Sequence, residues 1–274
     1  MVTMTSLTLN NAGFSYGDTS IFKNITLEVH PGSTLCILGP NGSGKTTLMD
    51  ALLGIHRLTH GSIYINGKDI RHLSPGQIAR VLAFVPQNHA KHFSFSVRDV
   101  LLMGRSAYTH TFGSPGPKDL RIVDATLAQF NLSHLAHRDY TRLSGGETQL
   151  VMIIRALVQD TPIIVMDEPT AHLDFKHEIT VLETIVRLIR NQGKTLIMAT
   201  HFPNHAFFLE NQGLDIEVGF LHREQLHMEG SPSDALTWEN LRRYYGVDTC
   251  IMEYNTQKTG KIKQIFPIST TKEA

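Results

Sequence analysis

Gly39-Pro40-Asn41-Gly42-Ser43-Gly44-Lys45-Thr46-Thr47 matches the pattern G-x-x-x-x-G-K-[ST] and decides the fold. It follows Thr34-Leu35-Cys36-Ile37-Leu38, an apolar run typical of a buried parallel strand, and precedes a helix pattern. Glycines let backbone N–H groups turn inward as an anion nest, and the helix N-terminus adds positive potential. We expect Lys45 to reach the β- and γ-phosphates and the Thr46 hydroxyl to ligate Mg²⁺. The alternative is a glycine-rich turn with a chance lysine, which the register and the flanks disfavour.

The composition narrows the class of protein. The chain has 274 residues, with 25 Lys+Arg and 25 Asp+Glu, so its formal charge is zero. That balance gives no sign of a nucleic-acid binder, and phosphate binding has to come from a local site. Hydrophobic residues make up 41% and charged residues 18%, which indicates a globular chain. Two cysteines cannot build a disulfide framework and favour a reducing compartment.

The same sequence carries no evident targeting or membrane signal. The first thirty residues lack the pattern of a secretory leader, and no apolar run approaches the ~20 residues that a membrane span needs. We therefore expect a soluble, cytoplasmic chain that can still dock on a membrane protein.

The order of predicted elements indicates an α/β fold. Alternating residues predict early antiparallel strands in three segments, namely 7–10 leading into 14–17, 25–29 and 62–67. Apolar runs at 163–166 and 195–199 predict two more buried parallel strands, whose carboxyl ends would carry the ligand site.

The rest of the chain reads as a helical insert and a small C-terminal part. Spacing of apolar residues predicts helices between 97 and 157, interrupted by a Gly/Pro/Ser-rich loop at 111–118. The final segment, from about 239, starts helical and continues in short alternating pieces. We predict a nucleotide-binding unit over 5–240, with its helical part at about 95–157, and a tail over 241–274.

Two further segments are ambiguous on their own. The strand at 163–166 ends in Asp167 and Glu168, which form either a solvated turn or, beside the phosphate loop, a site where Asp167 lies near Mg²⁺ and Glu168 polarises an attacking water. Leu143-Ser144-Gly145-Gly146-Glu147 opens a helix and fits a capping box. Its two glycines would equally let the backbone approach an anion closely.

Together these segments resemble the ATPase subunit of an ABC transporter, and the resemblance spans nearly the whole chain. The resemblance implies a P-loop NTPase (RecA-like) core with an N-terminal antiparallel β subdomain and an inserted α-helical subdomain. The segments that occur in the family's order and spacing are Tyr16, the phosphate loop, Val85-Pro86-Gln87, Leu143 to Glu147, Met166-Asp167-Glu168-Pro169-Thr170, Ala171-His172-Leu173-Asp174 and Thr200-His201.

The resemblance implies roles at the matching positions. Tyr16 would stack on adenine, Gln87 would contact the metal or the attacking water, and His201 would hold the γ-phosphate. Lys45, Gln87, Glu168 and His201 form the implied catalytic set, and Thr46, Gln87 and Asp167 the implied Mg²⁺ set. ATP is the implied nucleotide, held by Tyr16 and by the whole run from Gly39 to Thr47.

The implied partners follow from how such subunits assemble. Ser144 and Gly146, with Gly145 between them, would bind the γ-phosphate of an ATP held by a second copy, and Asp174 would lie at the contact between copies. Integral-membrane permease subunits, and indirectly a solute-binding protein, are implied at the cytoplasmic face of the membrane, with no nucleic acid.

Two less specific similarities concern the transported solute, and two positions differ from the family. The segments 95–105 and 241–247 are similar to importers of iron–siderophores, haem and cobalamin; an ordinary amphipathic helix is the alternative for the first. Glu147 stands where the family commonly has Gln, and Phe202-Pro203 where it usually has Asp-Leu. The histidines other than His201 are interpreted as surface or packing residues, and Cys36 as a core residue. The competing classes are an ABC subunit for another solute, a soluble ABC protein without a membrane partner, and an unrelated P-loop kinase.

Overall fold

A computed structural model describes residues 5–89, 91, 93–109, 113–256 and 260–271. The strands are β1 Leu7–Tyr16, β2 Thr19–Val29, β3 Thr34–Leu38, β4 His60–Ile65, β5 Lys68–Asp69, β6 Leu82–Val85, β7 Ile163–Asp167, β8 Thr195–Thr200, β9 Ile216–His222, β10 Gln225–Gly230, β11 Val247–Thr256 and β12 Gly260–Thr270. The α-helices are α1 Lys45–Leu52, α2 Pro75–Ala79, α3 Val97–Met103, α4 Pro117–Gln129, α5 Gly145–Val158, α6 Phe175–Gln192, α7 Asn204–Asn211, α8 Pro232–Ala235 and α9 Trp238–Tyr245. Single 3₁₀ turns lie at Ile70–His72, Ser106–Tyr108, Ser133–Leu135 and Tyr140–Arg142.

The central sheet has the order β10-β9-β3-β8-β7-β6 and is parallel from β9 through β6. Successive residues of β3 enter two different cores, with Cys36 and Leu38 on one side and Leu35 and Ile37 on the other. A strand covered on both faces needs apolar residues throughout, which is why the predicted runs contain no alternation. All three predicted parallel strands are confirmed.

A second, antiparallel sheet has the order β2-β1-β4-β5 and packs on one face of the central sheet. The two sheets share the core that contains Leu35 and Ile37. Leu7 and Leu9 of β1 are buried while Thr8 and Asn10 are more exposed, as the alternating pattern predicts. The turn at Asn66-Gly67 joins β4 to the short β5. The predicted N-terminal antiparallel strands are therefore confirmed.

Helices α3, α4 and α5 form the helical part of the chain, and their buried side chains belong to the core that contains Cys36 and Leu38. The predicted loop at 111–118 falls partly outside the described residues, and its C-terminal end is wrong, since α4 already begins at Pro117. Proline is favoured at a first helical position, and the Asp119 carboxylate accepts the Gly116 N–H at 2.9 Å to close the turn.

The C-terminal part is one helix followed by one hairpin. Leu241 and Tyr244 of α9 are buried in the core under the central sheet. The predicted boundary between 240 and 241 thus falls inside this helix. The expected short pieces are instead two strands, β11 and β12, paired along their length. Within the described part of the chain, every helix is too short or too polar to cross a bilayer.

Candidate nucleotide-binding site

The phosphate loop lies between β3 and α1, at the carboxyl edge of the parallel strands. Gly44 is the N-cap of α1 with φ of 99°, a backbone conformation that residues with a Cβ rarely adopt. A Cβ there would also lie 2.8 Å from the Ile21 side chain. Glycine at this position is required by both backbone geometry and packing.

Lys45 is 5% exposed and lies at the floor of the loop. Its Nζ donates to the carbonyl oxygens of Gly39 at 2.8 Å and Pro40 at 3.1 Å, and lies 3.5 Å from Glu168 Oε1. Burial lowers the pKa of Lys45, and the charge of Glu168 opposes that shift. The ammonium group is therefore held by oxygen atoms that triphosphate oxygens could replace.

Asp167 ends β7 and is 1% exposed. Its carboxylate is within hydrogen-bond reach of the Thr46 hydroxyl, and burial raises its pKa. Among the residues that the structure describes, Asp167 Oδ1 has no hydrogen-bond partner although it is buried. A buried carboxylate oxygen without a partner, next to a hydroxyl, fits the oxygen ligands that Mg²⁺ prefers.

Glu168 links β7 to the end of β8. Its Oε2 lies 2.7 Å from His201 Nδ1 and accepts the His201 N–H at 3.3 Å. The Glu168 backbone has φ of 48°, uncommon for a non-glycine residue, and its N–H donates to Ala199 O at 2.9 Å. Strained backbone of this kind concentrates at functional sites, and here it directs a buried carboxylate to the loop.

One cavity of about 510 Å³ brings most of the predicted residues together. Its predicted lining residues are Asn41, Gly42, Gly44, Lys45, Thr46, Thr47, Gln87, Glu168 and His201. It is also lined by four residues whose place the sequence did not indicate, namely Ile21, Ala171, His172 and Phe202. His172 is exposed, as its interpretation as a surface residue predicts, and it also forms part of the cavity wall.

The other predicted residues do not line this cavity. Gly39 and Ser43 belong to the phosphate loop without lining the cavity, and Asp167 is the last residue of β7. Tyr16, at the end of β1, is 51% exposed, and its hydroxyl is 2.9 Å from His56 Nε2. Ser144, Gly145, Gly146 and Asp174 lie at the starts of α5 and α6 instead.

The start of α5 is a capping box, as one of the two interpretations predicts. Ser144 Oγ accepts the Glu147 N–H at 3.2 Å, and Glu147 Oε2 accepts the Ser144 N–H at 2.9 Å. Those contacts, with the Arg138 ion pair at 2.6 Å, lower the pKa of Glu147. Ser144 and Gly145 are exposed, so a second chain could reach them.

The segment after His201 is held by a buried hydrogen-bond chain. His205 is 2% exposed, with Nδ1 2.9 Å from Thr200 Oγ1 and Nε2 2.9 Å from Glu178 Oε1. The interpretation of His205 as a packing residue is confirmed. No spacing signal in the sequence could have indicated that it connects α6 to α7.

Comparison with known proteins identifies the family. The family model for the ABC transporter matches residues 22–171. The chain belongs to the ABC transporter ATP-binding family. The molybdate import ATP-binding protein MolC of Haemophilus influenzae is 36% identical, over 86% of either chain. The iron(3+)-hydroxamate import ATP-binding protein FhuC of Bacillus subtilis is 31% identical, over 91% of either chain. A solved metal-chelate type ABC transporter in an inward-facing conformation is 32% identical with a TM-score of 0.83, covering 96% of this chain and 98% of that chain.

Membership in the ABC family confirms the resemblance, the fold class and the predicted activity. The chain is an ATP-binding cassette, and such subunits hydrolyse ATP. ATP-binding subunits of ABC importers work as dimers together with membrane permeases.

Proposed function

We propose that this cassette powers a membrane importer for a metal chelate, as one half of a dimer that encloses two ATP molecules. One observation carries the proposal. A single cavity gathers Lys45, Thr46, Gln87, Glu168 and His201. Ser144, Gly145 and Gly146 lie outside it at the start of α5, where Ser144 and Gly145 are exposed. Such a site is half complete, and a second copy would supply the missing half.

The proposed reaction uses the acid at the end of β7. Glu168 orients the attacking water and accepts its proton as the water oxygen bonds to the γ-phosphorus and ADP leaves with the bridging oxygen. His201, whose Nδ1 lies 2.7 Å from Glu168 Oε2, contacts the γ-phosphate. Lys45 exchanges its bonds to Gly39 O and Pro40 O for bonds to phosphate oxygens.

Thr46, Asp167 and Gln87 are the residues that would hold Mg²⁺. When bound, the ion neutralises charge on the β- and γ-phosphate oxygens. Asp167 Oδ1, which is buried without a hydrogen-bond partner among the described residues, supports this assignment.

The proposed dimer contact involves the starts of α5 and α6. Ser144 and Gly146 would bind the γ-phosphate held by the other copy, since a helix N-terminus favours negative charge. Asp174 caps α6 by accepting the His177 N–H at 2.9 Å, which fixes the loop that precedes the helix. Tyr16, which is 51% exposed and outside the cavity lining, would stack on adenine.

The proposed permease contact is a second, apolar cavity of about 330 Å³ beside α3. Phe93, Phe95 and Met103 line it and are 71%, 42% and 43% exposed. A patch of large exposed apolar side chains is typical of a protein interface, and Gln87 lies just before this segment in the chain. We infer that a cytoplasmic helix of the permease binds here, with the cassette peripheral to the membrane and a solute-binding protein outside.

The solute is proposed from similarity. The iron(3+)-hydroxamate relative and the metal-chelate type structure support a metal chelate, for which an iron–siderophore, haem and cobalamin are the candidates. Molybdate is the second candidate, favoured by the greater identity to MolC. Uptake by liposomes that contain the cassette, its permease and its binding protein, assayed with ferric hydroxamate, haem, cobalamin and molybdate in turn, would distinguish them.

The substitution Glu168→Gln tests the ATPase and dimer proposals together. We expect turnover to fall at least about 100-fold, because the water loses its base, and ATP with Mg²⁺ to trap a dimer. Steady-state hydrolysis and light scattering after gel filtration measure the two effects. Glu183→Gln, on the exposed face of α6, is the control and should behave as wild type. Normal turnover by a monomeric Glu168→Gln variant would contradict the proposal, and a ribosome-bound chain would favour the soluble class instead.

A further inference from the structure

Helix α9 reaches the phosphate loop although it lies some two hundred residues further along the chain. The Tyr245 hydroxyl oxygen accepts the Gly39 N–H at 2.9 Å. Gly39 is the first residue of the loop, and its own carbonyl oxygen accepts from Lys45 Nζ at 2.8 Å. A continuous path of two hydrogen bonds therefore joins the C-terminal helix to the lysine at the floor of the site.

Gly39 has little freedom to find another acceptor. A Cβ at this position would lie 2.7 Å from the Leu221 carbonyl oxygen of β9, so the peptide is pressed against a neighbouring strand. A buried N–H that loses its only acceptor costs about 1–3 kcal/mol. The Gly39 N–H and the Gly39 carbonyl belong to consecutive peptide groups joined at one Cα, so movement of the first would also shift the carbonyl that binds Lys45.

Tyr245 is held rigidly enough to fix this peptide. Its ring meets Phe220 of β9 edge to face at a centroid distance of 6.3 Å. It also lines a small apolar cavity with Phe202 and Pro203, the residues that follow His201. Burial raises the pKa of Tyr245, so the hydroxyl stays neutral and acts as a hydrogen-bond partner. The next residue, Gly246, ends α9 in the left-handed conformation.

We propose that Tyr245 is a positioning residue for ATP binding, which sets the conformation of the phosphate loop through Gly39, the residue whose carbonyl oxygen holds Lys45 until ATP takes its place. The inference rests on the proposed nucleotide site. It assigns a purpose to the segment 241–247, which does not contribute a side chain to the 510 Å³ cavity.

The test compares the loss of the Tyr245 hydroxyl with the loss of the hydroxyl of its neighbour, Tyr244. Tyr245→Phe should raise KM for ATP, and the Kd for a non-hydrolysable ATP analogue, about fivefold or more, with kcat changed less than twofold. Tyr244→Phe is the matched control, because the Tyr244 hydroxyl binds Glu229 on β10 instead of the loop. It should leave KM and Kd within twofold of wild type.

A merely structural role gives a different result, since both variants would then lose thermal stability while ATP affinity stayed the same. Amide hydrogen exchange at Gly39 is a second measurement, expected to accelerate in Tyr245→Phe and to stay unchanged in Tyr244→Phe. If Tyr245→Phe bound ATP with wild-type affinity and showed wild-type amide exchange at Gly39, the inference about Tyr245 would be overturned while the proposed function stood. A wild-type chain that does not bind ATP would overturn the proposed function as well.

Discussion

Glu147 shows how one side chain can serve both a helix and a ligand site. Its carboxylate accepts the Ser144 N–H and pairs with Arg138, which is 45% exposed in its side chain. An exposed ion pair contributes at most about 1 kcal/mol, whereas the cap orders the residues proposed to bind phosphate.

Replacing Glu147 with Gln should therefore change little. The amide oxygen can still accept the Ser144 N–H, so we expect the ATPase rate to stay within about twofold of wild type. Steady-state hydrolysis measures this. Glu147→Ala, which removes the carboxylate half of the capping box and the ion pair with Arg138, serves as the contrast and should lower the free energy of unfolding by about 1 kcal/mol. A tenfold change in Glu147→Gln would show that the carboxylate itself acts on the nucleotide.

The roles of the phosphate-loop residues were predictable, because a short sequence motif specifies where each of them lies relative to the phosphates. Lys45, Thr46 and Glu168 meet in one cavity as expected. Tyr245 and His205 were not predictable in this sense, since their roles depend on contacts between distant parts of the chain: Tyr245 meets Gly39, and His205 meets Glu178. Local patterns contain no information on such pairings.

At the scale of elements, Arg105 attaches the start of α4 to α5. It is 7% exposed, with Nε 2.9 Å from Asp119 Oδ1 and Nη1 2.7 Å from the Val158 carbonyl oxygen. The hydrogen bond from Arg105 lowers the pKa of Asp119. Removing the carboxylate would leave a buried guanidinium without its counter-charge.

We expect Asp119→Asn to reduce the free energy of unfolding by about 2–4 kcal/mol at neutral pH. Because the folded-state pKa of Asp119 lies below its ordinary 3.8, the carboxylate stabilises the protein above that value. This contribution is lost as the pH falls through the lower, folded-state pKa. In urea unfolding between pH 3 and 7, the difference in free energy of unfolding between wild type and Asp119→Asn should therefore become smaller as the pH falls.

Asp124→Asn, on the same helix, is the control. Its partner Arg98 and its own side chain are 31% and 47% exposed, so the loss should be below about 1 kcal/mol. Equal losses in the two variants would contradict the importance of burial at Arg105.

Element types were largely predictable from hydrophobic spacing, and element ends were not. Pro117 was assigned to a loop because Pro and Gly cluster there, yet proline also suits the first turn of a helix. The same composition supports both outcomes, and only the Asp119 cap decides between them.

At the scale of the whole molecule, two asparagines attach the C-terminal hairpin to α7. Asn204 exchanges hydrogen bonds with the backbone N–H and C=O of Ile265, at 2.8 and 3.0 Å. Asn211 does the same with Lys263, both at 3.0 Å. The two amide groups thus cover one edge of β12 as a neighbouring strand would.

The double variant Asn204→Ala/Asn211→Ala should loosen this attachment. We expect amide exchange at Lys263 and Ile265 to accelerate at least about tenfold, because both N–H groups lose their acceptors. Hydrogen-exchange mass spectrometry measures it. Asn240→Ala removes an amide that binds Ala235 within the α8–α9 segment and should leave β12 unaffected. Unchanged protection in the double variant would mean that β11 alone holds β12.

The two cysteines give this cassette a practical property. Cys36 is buried in β3, where burial raises the pKa of its thiol to about 12, whereas Cys250 is exposed on β11. Thiolates, and not thiols, react with maleimides, so the native chain should take up one fluorophore or spin label, on the hairpin. Subunit association could then be followed by energy transfer or electron spin resonance without any engineered attachment point.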